Sequence, residues 1–174
     1  MRDGHCTVGV VVHVPDPIGA QVADIRAAMG DPLGSQIPTH ITLLPPTRVT
    51  TEQHAALGQH LADVAARHRA FEVHLSGTDT FRPISDVVYV ALAEGVEECR
   101  SLATTVCGGP VASPSPFAYH PHVTLAHDVG SEELDRVQAE HQGIHASFSA
   151  DDLCLYEMSD EGPWRLQARF ALNG

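Results

Sequence analysis

Two short stretches of this sequence carry residue types suited to moving protons: His40-Ile41-Thr42-Leu43 and His122-Val123-Thr124-Leu125. An imidazole titrates near neutral pH. One neutral and one protonated histidine can therefore take a proton from a nucleophile and return one to a leaving oxygen. A threonine two residues further along a strand shares the face of its histidine, and its hydroxyl can donate to a developing oxyanion. Ile41, Leu43, Val123 and Leu125 then point the other way, into packing. A bare H-x-T arises by accident in a chain with 12 histidines, and we read His5-Cys6-Thr7 as one such accident. The four-residue pattern repeated 82 positions apart is not of that kind.

Other residues near the tetrads are candidates for supporting roles. His120 has the strand parity of His122 and Thr124, so it is expected on the same face. His120-Pro121-His122 also leaves open a metal pair, and with it a metal-dependent hydrolase. Arg48, just past the first tetrad, is a candidate bidentate ligand for an oxyanion, against a reading as a solvated arginine. Tyr119 and Phe117 precede the second tetrad and are candidates to stack on a base, against ordinary core packing. His13, His54 and the remaining histidines show no organised spacing and are read as surface or core residues.

Composition limits what else the chain can do. Its 22 acidic side chains outnumber ten basic ones, for a net charge of −12, and every basic residue is arginine. Without lysine there is no Schiff base, lysyl-nucleotide intermediate or P-loop lysine. The charge argues against coating a long nucleic acid, which needs clustered cations. Cysteines 6, 99, 107 and 154 form no C-x-x-C pair and are expected to be reduced thiols. Val8 to Val14 is too short and too interrupted for a signal peptide or membrane helix. The protein is expected to be cytoplasmic, without a membrane partner, and monomeric.

The tetrads need strands, and the periodicity supplies them in two similar halves. Alternation from Cys6 to Val14 predicts a strand. Asp16-Pro17 then opens a helix through Ile18, Val22, Ile25 and Met29 that stops at Gly30. The first tetrad lies on a strand over about Thr39 to Leu44 that breaks at Pro45-Pro46. A capping box from Thr50 to Gln53 starts the next helix, and a strand from Phe71 to Leu75 follows. The second half repeats the order: a strand through Val88, Val90 and Leu92, a helix from Val96 to Val106, and a Pro- and Ser-rich loop (Gly109 to Pro116). The second tetrad strand, a helix capped by Ser131, and two closing strands around Leu153–Tyr156 and Trp164–Leu172 complete it. Alternating strands favour α+β over a buried parallel sheet. One bilobal domain over residues 1–174 is expected, with pseudo-repeats at about 5–82 and 86–172.

HITLLPP and HPHVTLAH resemble the paired H-x-T or H-x-S motifs of the 2H phosphoesterase superfamily, which includes 2′-5′ RNA ligase-like proteins and RNA 2′,3′-cyclic phosphodiesterases. The resemblance implies a bilobal duplicated α+β fold with two antiparallel sheets facing across a central groove and helices outside. It also implies catalytic roles for His40 and His122, and phosphate contacts from Thr42 and Thr124. The expected activity is metal-independent hydrolysis or transesterification of a 2′,3′-cyclic phosphate or 2′-5′ phosphodiester, without a cofactor. The expected partner is a small nucleotide or an RNA terminus. A non-catalytic nucleotide- or RNA-end-binding module on the same fold is the alternative. The sequence does not assign acid and base between the two histidines.

Overall fold

A computed structural model describes residues 4–31, 36–113, 115–158 and 162–174. The chain forms β1 (His5–His13), α1 (Ile18–Ala28), β2 (His40–Thr50), α2 (Thr51–Ala65), β3 (Phe71–Thr80), β4 (Val87–Glu94), α3 (Val96–Cys107), β5 (His122–His127), α4 (Ser131–Glu140), β6 (His145–Ala150), β7 (Asp152–Met158) and β8 (Arg165–Ala171). Every strand pairing is antiparallel. The fold is therefore α+β, as the alternating strands predict.

The expected separation into two sheets does not occur. The strands form one sheet in the order β6-β3-β4-β5-β2-β1-β7-β8. The inner edges of its halves meet where Ile41 on β2 pairs with Val123 on β5. Spatial halves and sequence halves also differ. The last strand of the first sequence half, β3, pairs with β4, and the late strand β7 pairs with β1. The helices cross over too: α1 packs on β5 and α3 on β2.

The main core joins the even-numbered valines of β1 to Ile41, Leu43, Leu57, Leu61, Leu102, Val106, Val123, Leu125 and Leu134. A second small cluster, Val11, Cys154 and Tyr156 with Trp164 against it, packs on the other face of the sheet. Local signals place most boundaries. Asp16 Oδ1 accepts from Ala20 N at 2.9 Å, Gly30 turns the chain at φ 75°, and the Thr50–Gln53 capping box forms. Ser131 is the first residue of α4 and makes no capping bond. The predicted break at Pro45-Pro46 is absent: β2 continues to Thr50. The β1–β2 register slips between Val8 and Val10, opposite these prolines, so the ladder asks no N–H of them. Strand β6 is unforeseen in the sequence because only Phe148 and Ala150 of its residues are buried.

Candidate active site

The two tetrads are built alike down to their irregularities. In the first half Val11, Val12 and His13 pair with Thr42, Ile41 and His40. In the second, Tyr89, Val90 and Ala91 pair with Thr124, Val123 and His122. Just beyond, Val10 pairs with Leu44 and Val88 with Ala126, so Leu43 and Leu125 are each the extra residue of a bulge. The bulge lets two consecutive side chains enter the core: Leu43 with Leu44, and Leu125 with Ala126, all at most 1% exposed. Up to that point, alternation keeps each histidine and threonine on the opposite face.

The Ile41–Val123 pair brings these polar positions together. Extending its register by one residue each way places His40 beside Thr124 and Thr42 beside His122. Directly opposed side chains in such a pair lie about 5 Å apart at Cβ and diagonal ones about 7–8 Å. The four make a square with the imidazoles on one diagonal, a span that one phosphate can fill.

Each ring is oriented in the same way. His40 Nδ1 lies 2.6 Å from the Pro38 carbonyl, and His122 Nδ1 lies 2.8 Å from the His120 carbonyl. A carbonyl only accepts, so both Nδ1 atoms carry hydrogen, and both Nε2 atoms are left for chemistry. Backbone ties hold the first tetrad in place: Thr39 Oγ1 donates to the Gly19 carbonyl at 2.7 Å, and Val14 N donates to the Thr39 carbonyl.

Aromatic walls flank the rings. Trp164 lies 5.1 Å from His40 between centroids. Phe81 meets His122 edge-on at 4.8 Å, with Tyr89 at 5.4 Å. Burial lowers the pKa of His40 to about 4; Arg26, His122 and His13 add to the fall, and the bond to Pro38 opposes it. Arg26 is itself buried, 2.8 Å from Asp31. The pKa of His122 is lowered by burial and by His120, against its bond to the His120 carbonyl. Both imidazoles are therefore held neutral, and an arriving anion would raise both pKa values.

A family model described as the 2'-5' RNA ligase superfamily matches residues 14–162. The chain belongs to the 2'-5' RNA ligase superfamily. A provisionally named phosphoesterase of Bacillus licheniformis is 26% identical over 150 residues, covering 82% of this chain and 85% of that protein. One from Bacillus cereus is 24% identical over 170 residues, covering 95% and 96%. Among solved structures, E. coli LigT complexed with NADP+ has a TM-score of 0.74 at 22% identity, covering 98% of this chain and 99% of that one. E. coli LigT complexed with 3'-AMP has a TM-score of 0.69 at 20% identity, covering 98% and 99%. At these identities the structural likeness shows the superfamily's fold.

In this superfamily member the sheet unites His40, Thr42, His122 and Thr124, and it sets His120 6.4 Å from His122 between ring centroids. Tyr119 is close by, but its hydroxyl donates to the Thr42 carbonyl at 2.8 Å. It fastens the loop before the second tetrad to the strand of the first. Arg48 is not brought in. It is exposed opposite Thr7, six residues beyond Thr42; at ~3.3 Å per residue that is about 20 Å, too far for its side chain.

The sequence reading missed His13, which pairs with His40, and the aromatic residues Trp164, Phe81 and Tyr89. Tyr89 left a trace, as an aromatic on the face of β4 opposite Val88 and Val90. Trp164 reaches His40 through the β8–β7–β1 pairings and a backbone hydrogen bond from its N to the Gln36 carbonyl, none of which a local pattern announces. Beside His122 opens a groove of about 740 Å³ lined by Thr42, Phe81, Tyr89, Tyr119 and His120 among others. Ile84 and Phe117, 70% and 62% exposed, also line it, and among the described residues no arginine does. Among the described residues no helix is long and apolar enough to cross a membrane.

Proposed function

We propose that the protein is a 2H phosphoesterase that opens a 2′,3′-cyclic phosphate or a 2′-5′ phosphodiester at a nucleotide or RNA end, using His40 and His122 as acid and base. The observation that carries this reading is the matched pair of imidazoles. Each has its Nδ1–H tied to a carbonyl two residues back, and each lies diagonally across the β2–β5 pair from the other.

In the hydrolytic direction a water attacks phosphorus while one Nε2 takes its proton. The P–O bond to the leaving ribose oxygen breaks, and the other imidazole, protonated, delivers a proton to that oxygen. The thermodynamic sum is one water consumed and one phosphomonoester formed. The Thr42 and Thr124 hydroxyls donate to the non-bridging oxygens, where negative charge grows. His40 has the lower pKa and is the stronger candidate for the group that starts neutral; His122 is then the acid. The apolar groove beside His122 suits the uncharged nucleoside part of the substrate, and the absence of arginine among its described lining residues argues against further phosphates there. LigT complexed with 3'-AMP supports a nucleotide of that size. We read the chain as one bilobal domain built by duplication.

Among the described residues no third His, Cys, Asp or Glu joins His120 and His122 in a ligand cluster, which weakens the metal-dependent alternative. The deciding experiment is hydrolysis of a 2′,3′-cyclic nucleotide with and without EDTA. Turnover that survives EDTA and disappears in both His40→Ala and His122→Ala is expected. Turnover abolished by EDTA refutes the two-histidine mechanism. Binding of the nucleotide without turnover establishes the binding-module alternative instead.

A further inference from the structure

At the opposite end of β1 from the tetrads, Cys6, His54 and Glu157 converge, one ligand atom of each lying within 4.8 Å of the other two. We propose that these three side chains form a second site, one that binds a zinc-type divalent transition-metal ion.

Three different elements build it. Cys6 sits near the start of β1, paired with Val49 at the end of β2. His54 lies in the first turns of α2, which continues directly from β2. Glu157 lies on β7, paired with Val8. Thr51 N donates to the Gly4 carbonyl at 3.1 Å, clasping the chain ahead of Cys6 to the start of α2.

The chemistry of the donor set is that of a borderline-soft cation: one thiolate, one imidazole and one carboxylate. Tetrahedral zinc bonds of about 2.0–2.3 Å put ligand atoms roughly 3.5 Å apart. Closing from 4.8 Å needs only small side-chain rotations. The second observation is His54 itself. Its Nε2 is shielded from solvent and has no hydrogen-bond partner among the described residues, a state that buried polar atoms rarely keep. Glu157 is held in place, because Arg165 Nη2 donates to its Oε1 at 2.7 Å. Such an outer partner fixes a ligating carboxylate.

This site is separate from the tetrads. Cys6 stands seven positions along β1 from His13, which neighbours His40; that is about 23 Å at ~3.3 Å per residue. Bound metal would pin β1, β7 and α2 to one another, a structural role. The thiol must lose its proton to bind, so affinity rises with pH.

The test uses the full chain, stripped by chelator and titrated with Co²⁺. One equivalent should give a thiolate-to-cobalt charge-transfer band and tetrahedral d–d absorption, both removed by Zn²⁺. Cys6→Ser should abolish the band and Cys107→Ser should keep it. His54→Gln should weaken binding at least about tenfold, the lower range for loss of even an outer partner. Zinc should raise the melting temperature of wild type and of Cys107→Ser, but not that of Cys6→Ser. A band that persists in Cys6→Ser overturns the proposal. So does the absence of any charge-transfer band in wild type, which would leave an ordinary polar cluster.

Discussion

The environment of His40 makes a quantitative prediction, because the only tryptophan of the chain, Trp164, lies 5.1 Å from its ring. His40 has a pKa of about 4 in the folded protein, against about 6.5 in an unfolded chain. Between those values the unfolded chain binds more protons, so this residue's contribution is present above pH 6.5 and is lost as pH falls to 4. A gap of 2.5 units at about 1.4 kcal/mol each gives a ceiling of about 3 kcal/mol. His40→Asn removes the titration. The difference in urea-unfolding free energy between wild type and variant, followed by far-UV circular dichroism, should shift by up to about 3 kcal/mol between pH 7 and pH 4. Trp164 fluorescence offers a direct reading, because a protonated imidazole quenches a neighbouring indole. Its acid transition should centre near pH 4 and move upward when inorganic phosphate occupies the site. A transition near pH 6.5, or identical pH dependence of stability in the two proteins, refutes the burial of a neutral His40.

Four further outcomes follow from the same geometry. His40→Ala and His122→Ala should each lower kcat/KM on a 2′,3′-cyclic nucleotide by about 10²–10⁴-fold. Thr42→Ala and Thr124→Ala should cost less, about 10–100-fold, as expected for one hydrogen bond to a charged group. Steady-state kinetics on folded variants checks both. Since the pKa of His40 is about 4 and that of His122 is lowered from 6.5, kcat/KM should peak between about pH 4 and 6.5 and fall as pH rises and the acid loses its proton. A plateau extending to alkaline pH contradicts this. Tyr119→Phe deletes the donor to the Thr42 carbonyl, and thermal or urea unfolding should show a loss of about 1–3 kcal/mol.

What could be read in the sequence was local, and what could not was the pairing of distant strands. The tetrads announce themselves because alternation puts His40 with Thr42, and His122 with Thr124, on one face. The helices through Leu57 and Leu61, or Leu102 and Val106, announce themselves by their apolar spacing. Pro45-Pro46 misleads because only the slipped register opposite β1 makes a strand tolerable there. Arg48 misleads for the same reason: if the strand stopped at the prolines, the arginine could fold back, but the strand continues and carries it away. The site's walls were illegible because Trp164 and Phe81 reach the histidines through contacts between segments distant in the chain. His54 and Cys6, read as unremarkable, gain meaning only when β7 brings Glu157 beside them.

The crossed strand order also bears on how the chain can be made and divided. Strand β1, synthesised first, has β2 on one side, but its other partner, β7, begins at Asp152. The open edge of β1 must therefore wait until residues past Asp152 emerge. A fragment cut between β3 and β4 would carry β3 without β4 or β6, and β1 without β7. Neither sequence half holds the strands to close its own part of the sheet, so two such fragments should fold only when mixed. A nascent chain stalled before residue 152 would present a bare β-edge to its neighbours.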